Sequence, residues 1–354
     1  MKKQDILLLM TAICGELPAK LAGQVVGSDS YAAALTTRLK REGYISSRNR
    51  DGCRGYVLKA KGRRYVLDAY GDDAAFFLQG TSGTGHVKSE IEKRLRLHRM
   101  GEVWVFFWKA GVCIFRSQKP GLGLGLGKNG VERAAYYGSL EFKGDSEAIK
   151  GSRACGVLLS GNSAYVVYNT MERRMKWAKK MERSMRVWME KLLVKNGSLS
   201  TADALILGEN TGFLRELLES DGGIRKNLFQ VDDIYERYYY VPMCPEATVQ
   251  LWLLLDESKR NRLYRFLCGI LSYRRDKEYA IYDGYDSRGE PVYFCHELEM
   301  RHLLRVKQEA AWQHRGTVLC LDYQEAALRE YFGEGIKIQM VITERLREYL
   351  QQDA

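Results

Sequence analysis

Residues 28–61, SDSYAAALTTRLKREGYISSRNRDGCRGYVLKAK, decide how the N-terminal part of this chain folds. Side-chain oxygens in the opening Ser-Asp-Ser can cap a helix, and Tyr31, Leu35 and Leu39 recur at the spacing that buries one helical face. Gly43 favours the end of that helix, because glycine takes the left-handed conformation at little cost. The first half of the stretch therefore predicts an amphipathic helix.

The second half of the stretch has the pattern of a β-hairpin. Residues 44–45 and 56–58 are short β-prone runs, and residues 48–54 between them hold an Asp-Gly turn signal and three arginines. A winged helix-turn-helix has the same order of parts: a helix, a glycine, a strand, a basic hairpin tip and a second strand. The sequence therefore predicts such a module at the N-terminus.

This prediction assigns candidate DNA-binding residues to three segments. On the helix, the positions off the buried stripe face the major groove, and the candidates are Ser30, Ala33, Thr37, Arg38 and Arg41. On the hairpin, side chains reach phosphates or the adjacent minor groove, and the candidates are Arg48, Asn49, Arg50 and Arg54. The candidates after the hairpin are Lys59, Lys61, Arg63 and Arg64. The alternative is a solvated helix and hairpin that contact protein.

The charge distribution favours a polyanionic partner for this module. The 354 residues carry a net charge of +11, and residues 1–68 alone hold 13 Lys and Arg against 6 Asp and Glu. A fifth of the chain therefore carries most of the excess positive charge. The whole chain, with 45% hydrophobic and 28% charged residues, has the composition of an ordinary globular protein.

The cysteines, the apolar N-terminal run and the glycine-rich stretch indicate where the protein is located and whether it binds a metal or a cofactor. The eight cysteines are scattered without a CxxC pair or a closely spaced Cys/His set, which predicts a reducing cytosol and no structural metal. The start MKKQDILLLMTAIC predicts the first helix of the module rather than a signal peptide, because Asp5 interrupts the run. The Gly-Leu alternation over residues 121–130 lacks the preceding strand that a dinucleotide site needs, so we predict a mobile loop and no cofactor.

The rest of the chain predicts a mixed α/β region. Strands are expected over residues 204–207 and 238–241, a long helix over 246–271, and a strand–helix–strand unit over 317–341. The predicted domains are a winged helix over residues 1–70, a linker over 71–88 with a Gly-rich part at 80–85, and an α/β domain over 89–354, either single or divided into 89–195 and 196–354.

One motif raises the question of catalysis. Glu141-Phe142-Lys143 falls in the best β region, residues 134–170, and has the spacing by which restriction-like nucleases place a carboxylate on a metal and a lysine on the scissile phosphate. Such a site needs a second acid on a neighbouring strand, and the preceding segment offers only Glu132, without a Pro-Asp pair. We therefore favour a structural role for Glu141 and Lys143.

Residues 171–195, MERRMKWAKKMERSMRVWMEKLLVK, predict a long, basic, Met-rich helix. Its methionines and tryptophans could form a core face, or an adaptable surface for a partner or for nucleic acid. We favour the core face.

The order of parts resembles the replication-relaxation family, which plasmids and integrative elements of Gram-positive bacteria carry. The features that carry the resemblance are the N-terminal winged helix, the stretch HRMGEVWVFFWKAGV, the hairpin LEFK...CGVLLSGNSAYVVYNT and the helix after it. The resemblance implies DNA binding in the replication or mobilisation of a mobile element, and a C-terminal fold similar to a degenerate restriction nuclease. The missing Pro-Asp acid near Glu141 departs from an active nuclease. Antitoxin regulators of abortive-infection systems have a similar layout.

These observations predict a non-enzymatic, sequence-selective double-stranded DNA-binding protein of a mobile genetic element, located in the cytoplasm. Its role would lie in replication or mobilisation control or in transcriptional regulation, with the α/β region forming a homodimer or recruiting a partner protein. One alternative is a metal-dependent nuclease that uses Glu141 and Lys143. The other is an antitoxin-type regulator or a winged helix that binds protein. No metal, cofactor or membrane is expected.

Overall fold

The fold is mixed α/β, as predicted. The computed structural model describes residues 1–79, 88–122, 131–161, 163–171, 173–195, 201–223, 227–274, 280–313 and 315–352. The chain divides into an N-terminal unit, formed by Met1–Leu126 with Ala135–Ser146, and a C-terminal unit, formed by Gly127–Ala134 with Glu147–Ala354.

The elements before residue 147 build mainly the N-terminal unit. In chain order they are α1 (Lys3–Cys14), β1 (Leu17–Pro18), α2 (Ala22–Val26), α3 (Asp29–Arg41), β2 (Ile45–Arg50), β3 (Cys53–Leu58), α4 (Ala60–Leu78), α5 (Ile91–Lys109), β4 (Val131–Gly138) and α6 (Ser139–Phe142). Strands β1, β3 and β2 form a three-stranded antiparallel sheet in that order. The predicted first helix is present as α1.

Helix α1 is the centre of this unit, and its one buried acid helps to hold α4. Leu7 through Cys14 are all buried, and Asp5 is buried at the other end of the helix. The two carboxylate oxygens of Asp5 accept hydrogen bonds from the hydroxyls of Tyr65 and Tyr70 on α4, both at 2.8 Å. Asp5, which interrupts the apolar run of the sequence, therefore has a hydrogen-bond partner for each carboxylate oxygen inside the unit.

The boundary of this unit differs from the predicted one. Residues 71–78 of the predicted linker belong to α4, where Ala74, Phe77 and Leu78 are buried. The helix continues through Gly71 with a kink at Tyr70, because this apolar face packs into the unit. The compact N-terminal unit therefore extends well beyond residue 70. Both the Gly-rich part of the linker, residues 80–85, and the predicted mobile loop from residue 123 onward lie outside the described residues.

The elements after residue 147 form the C-terminal unit. In chain order they are β5 (Gly156–Gly161), β6 (Ser163–Met171), α7 (Lys179–Lys195), β7 (Ala202–Gly208), α8 (Phe213–Leu218), β8 (Tyr238–Pro242), α9 (Ala247–Leu255), α10 (Glu257–Cys268), β9 (Tyr273–Arg274), β10 (Gly284–Tyr285), β11 (Pro291–Phe294), α11 (Met300–Gln313), β12 (Thr317–Leu321), α12 (Glu325–Phe332), β13 (Lys337–Val341) and α13 (Thr343–Gln351).

Two five-stranded sheets organise these elements. The first has the order β4–β5–β6–β7–β8, in which β5 and β6 are antiparallel and β6, β7 and β8 are parallel. The second has the order β13–β12–β11–β10–β9, in which β11, β12 and β13 are parallel. Strand β7 is buried along its whole length, as expected of a strand covered on both faces.

The predicted strands β7, β8 and the unit β12–α12–β13 are confirmed, whereas the long helix over residues 246–271 is not continuous. The chain breaks it at Asp256, which is extended and caps α10 by accepting a hydrogen bond from the Lys259 backbone N–H at 3.2 Å. An aspartate favours this position because its short side chain satisfies an unpaired donor at a helix start. None of the helices in the described part of the chain has the length and apolar composition that a membrane span needs.

Candidate nucleic-acid interface

Helix α3 presents one buried and one exposed face. Its start is capped by Ser28, whose Oγ accepts a hydrogen bond from the Tyr31 backbone N–H at 3.4 Å. The buried residues are Ala32, Leu35, Thr36 and Leu39. The predicted major-groove residues Ser30, Ala33, Thr37 and Arg41 are all exposed. Arg38 is exposed too, and it donates a hydrogen bond to the Gln4 side chain at 2.9 Å.

One member of the predicted buried stripe lies outside it. Tyr31 is 44% exposed, and the ammonium of Lys3 lies 5.2 Å from the centre of its ring. The stripe is centred on the pairs Ala32–Thr36 and Leu35–Leu39, which leaves Tyr31 at its edge. The prediction that Tyr31 is buried is therefore wrong, and its ring belongs to the exposed side of the module.

Strands β2 and β3 form the predicted hairpin. They pair in register from Ile45 opposite Leu58 to Arg50 opposite Cys53. The two turn residues, Asp51 and Gly52, have φ angles of 50° and 74°. Positive φ at both positions is what a two-residue hairpin turn of type I′ requires, and Asp-Gly supplies it. The local sequence therefore fixes the turn and the register of the hairpin.

The predicted DNA-binding residues of the hairpin differ in exposure and in their contacts with the rest of the unit. Asn49, Arg50 and Arg54 are exposed, whereas Arg48 is half-buried. Arg48 donates to the Lys88 carbonyl and lies 3.6 Å from a carboxylate oxygen of Glu16. Arg50 donates to the Ser89 carbonyl at 3.1 Å but keeps 60% of its side chain exposed. Arg48 is thus held inside the unit, whereas Asn49, Arg50 and Arg54 keep exposed side chains near the hairpin turn.

The bases at the start of α4 also divide into two groups. Lys59 and Arg64 are exposed. Lys61 is exposed as well, but its ammonium donates to the Glu42 carbonyl at 3.0 Å and lies 4.4 Å from the Tyr44 ring centre. Arg63 is half-buried and donates to the Leu78 carbonyl at 2.7 Å. Lys59 and Arg64 are therefore the better placed of these residues for an external partner.

A buried ion-pair network lies behind the hairpin. Glu16, in the turn between α1 and β1, is 1% exposed at its side chain, as is Arg94 of α5. The Arg94 guanidinium donates to both carboxylate oxygens of Glu16 and, at 2.9 Å, to the Cys53 carbonyl at the start of β3. His98 Nε2 lies 3.0 Å from the same carboxylate. Helix α5 is therefore tied to the segment after α1 through two residues 78 positions apart in sequence, and to the hairpin beside its turn through Cys53.

The protonation of Glu16 follows from these contacts. Burial alone would raise the pKa of its carboxyl, but hydrogen bonds from His98 and Arg94 outweigh burial and lower the pKa from 4.5 to about 2. Burial raises the pKa of the Cys53 thiol, which the positive charge of Arg94 only partly opposes. Near neutral pH the network therefore holds an ionised carboxylate and an uncharged thiol.

The side chains of Glu16, Cys53 and His98 also form a set that could hold a metal ion, since their ligand atoms lie within 4.8 Å of one another. Sulfur, imidazole and carboxylate ligands suit zinc. Both carboxylate oxygens are already bound by Arg94, however, and the Arg48 guanidinium is 3.6 Å away. A divalent cation would approach against two positive charges, so the geometry fits an ion-pair network better than a metal centre.

Glu141 and Lys143 lie on a short helical turn and not on the predicted strand. Glu141 belongs to α6, and its Oε2 accepts hydrogen bonds from the Lys119 ammonium at 2.9 Å and from the Gly138 backbone N–H at 2.8 Å. Burial lowers the pKa of Lys119, and Glu141 offsets part of that effect. The strand ends at Gly138 because the Glu141 carboxylate caps the turn that follows. Within the described residues, the three-residue group that could hold a metal does not include Glu141.

We expect Glu141→Gln to lower the free energy of unfolding by about 1.5–3 kcal/mol, because it removes the charge partner of a buried ammonium. Side-chain exposures of 2% for Lys119 and 4% for Glu141 leave little water to compensate. Chemical denaturation measures the loss. Glu147→Gln is the matched control, because its side chain is 86% exposed and a change within about 0.5 kcal/mol is expected. Equal stability of both variants would contradict the structural role.

Comparison of the chain with protein-family models, with curated proteins and with solved structures finds no match. The assignment of function therefore depends on the residues and their geometry.

Proposed function

We propose that the N-terminal unit contains a winged helix-turn-helix that binds double-stranded DNA, with α3 as the recognition helix and the β2–β3 hairpin as the wing. The order α1, β1, α2, α3, β2, β3 and the antiparallel pairing of the last two strands support this assignment. Helix α3 would enter the major groove, and the hairpin tip would contact the phosphate backbone beside it.

The observation that carries the proposal is the exposed face of α3. Residues 30–41, SYAAALTTRLKR, contain no Asp or Glu, and the exposed side chains near the middle of the helix are small. Small side chains let the helix approach base edges closely, and the basic residues at its end can neutralise phosphates. Exposed Arg50 and Arg54 on the hairpin extend this positive surface.

The biological role is the one that the resemblance to the replication-relaxation family implies. We propose a sequence-selective regulator of a mobile genetic element, acting in replication or mobilisation control or in transcription. The uneven charge of the chain supports binding to DNA but does not separate these roles, because each would use the same module.

We further propose that the C-terminal unit is a non-catalytic, degenerate relative of restriction-nuclease folds that mediates assembly or partner recruitment. Strands β5 and β6, GVLLSG and SAYVVYNTM, contain no Asp, Glu or Lys. The carboxylate of Glu141 is bound to Lys119 and to backbone, which supports a structural role over metal binding.

Binding of the full-length protein to a labelled random-sequence duplex of about 30 base pairs tests this function. The measurement is made across a salt series with magnesium present, and the length of the DNA is checked afterwards. We expect intact DNA to be bound, with the logarithm of the affinity falling by about 0.9 per logarithm of salt for each phosphate neutralised.

Other outcomes of this experiment contradict the proposal in different ways. Shortened DNA would support the nuclease alternative and direct attention back to Glu141. Absence of binding at low salt would leave a winged helix that contacts protein, as in the antitoxin-type alternative.

A further inference from the structure

The C-terminal unit carries a second positively charged surface, along α7 and the segment before it. Within residues 173–195, every exposed charged residue is Lys or Arg. These exposed bases are Arg173, Arg174, Lys176, Lys179, Lys180, Arg183, Lys191 and Lys195. We call this set the α7 basic surface.

The acids of the same stretch do not neutralise it. Glu182 is fully buried, and its carboxylate accepts hydrogen bonds from the Ser152 hydroxyl at 2.6 Å, the Arg153 N–H at 2.8 Å and the Tyr168 hydroxyl at 2.9 Å. Glu190 is half-buried and lies 3.6 Å from Arg186. The fold therefore turns one acid inward and pairs the other. Outside this stretch, exposed Asp233 lies 3.2 Å from Arg183, so one of the eight exposed bases has an acidic partner and the outer face keeps a net positive charge.

The apolar residues of α7 pack inward, so the basic face is the one left to solvent. Met185, Met189 and Leu193 are buried, which confirms a core face for part of the Met-rich helix, but the helix begins at Lys179 and not at residue 171, because Met171 ends strand β6. At 3.6 residues per turn, Lys180, Arg183 and Lys191 fall within an arc of about 80° around the helix axis, on the side opposite the buried residues. The 17 residues of α7 extend over about 25 Å, along which a duplex presents about 15 phosphates.

We propose that the α7 basic surface is a second, sequence-independent contact with the phosphate backbone of duplex DNA. The inference rests on the proposed function in taking DNA as the ligand, but it concerns residues of the other unit. Exposed lysines and arginines aligned on a rigid helix complement a line of phosphates, and contacts of this kind add affinity without reading sequence. The protein would thus hold DNA through both of its units.

Duplex DNA fits this surface better than a lipid surface or a single strand does. A membrane-surface helix inserts its apolar face into lipid, and the apolar face of α7 is already buried, with Val187 and Val194 exposed singly. Single-stranded nucleic acid is held by stacking on exposed aromatic rings. The aromatic residues of this stretch, Trp177 and Trp188, are buried and half-buried.

The test is a full-length variant that carries Lys180→Gln, Arg183→Gln and Lys191→Gln. Its binding to the labelled random-sequence duplex is measured across a salt series. Three lost phosphate contacts should make the slope of log affinity against log salt shallower by about 2.7. Between about 50 and 200 mM salt, the affinity of the unchanged protein should therefore fall about 40-fold further than that of the variant.

A matched control removes the same charge elsewhere in the C-terminal unit, through Arg265→Gln, Lys337→Gln and Arg345→Gln at exposed positions. Its slope should equal that of the unchanged protein. Circular dichroism checks that both variants fold, as expected for surface substitutions. Equal slopes for the two variants would overturn the α7 contact while leaving the N-terminal contact intact, and absence of DNA binding by the unchanged protein would overturn both.

Discussion

Replacing Glu16 with alanine should lower the free energy of unfolding of the N-terminal unit by about 3–5 kcal/mol, because it leaves the Arg94 guanidinium buried without its charge partner. Arg94 is 1% exposed, so water cannot take over the lost hydrogen bonds. Chemical denaturation followed by a probe within the N-terminal unit measures the loss. Glu90→Ala is the matched control, since Glu90 is 64% exposed and its ion pair with Lys93 should contribute at most about 1 kcal/mol.

A double variant separates loss of the ion pair from loss of packing. Glu16→Gln combined with Arg94→Met removes both charges and keeps most of the volume. Replacing both partners of a buried ion pair with uncharged residues lowers stability far less than removing one partner, because no buried charge is left unpaired. We therefore expect the double variant to be more stable than the sum of the two single losses predicts, and strict additivity would argue against a direct coupling.

The pKa of Glu16 predicts the pH range in which this pair contributes. The folded-state pKa is about 2 against an ordinary 4.5, so the stabilisation is present above pH 4.5 and is lost as the pH falls toward 2. Acidification through this range should destabilise the unchanged protein more than it destabilises Glu16→Gln, which has no carboxyl to protonate at this position. Identical acid sensitivity of the two proteins would contradict the assignment.

The features that were predictable from the sequence are those with local causes. The Asp51-Gly52 turn needs two residues with positive φ, and the sequence places the right pair between two β-prone runs. Strand β7 and the unit β12–α12–β13 were predictable because their apolar runs are bounded by clear breaks. The helix before the hairpin was predictable for the same reason, although its buried face is centred one residue beyond Tyr31.

The ion-pair network was not predictable, because its contacts join distant parts of the chain. Glu16 and Arg94 are 78 residues apart, and neither lies in a motif that would single it out. The pattern around Glu141 was ambiguous for another reason. The sequence of residues 139–143 continues directly from a β-prone stretch. The structure shows a turn there, in which the Glu141 carboxylate accepts hydrogen bonds from the Gly138 N–H and the Lys119 ammonium. In both cases the role of the glutamate depends on a basic side chain that is distant in sequence, Arg94 for Glu16 and Lys119 for Glu141.

The same network changes which arginines are informative for DNA binding. Arg48 looks equivalent to Arg50 and Arg54 in the sequence, but it is half-buried and contacts Glu16 and the Lys88 carbonyl. Its replacement would disturb the contacts that hold the hairpin in the unit as well as any DNA contact. A test of DNA binding by the hairpin should therefore leave Arg48 in place.

A variant with Arg41→Gln, Arg50→Gln and Arg54→Gln should bind duplex DNA about 100-fold more weakly, at about 1 kcal/mol for each lost phosphate contact. All three side chains are exposed, so stability should change little. The salt dependence should become shallower by about one unit of slope for each arginine, since each releases fewer counterions. Arg48→Gln should instead reduce stability, because it removes a donor to the Lys88 carbonyl and a neighbour of the buried Glu16. Native affinity in the triple variant, with its fold intact, would exclude α3 and the hairpin tip as the DNA-binding surface.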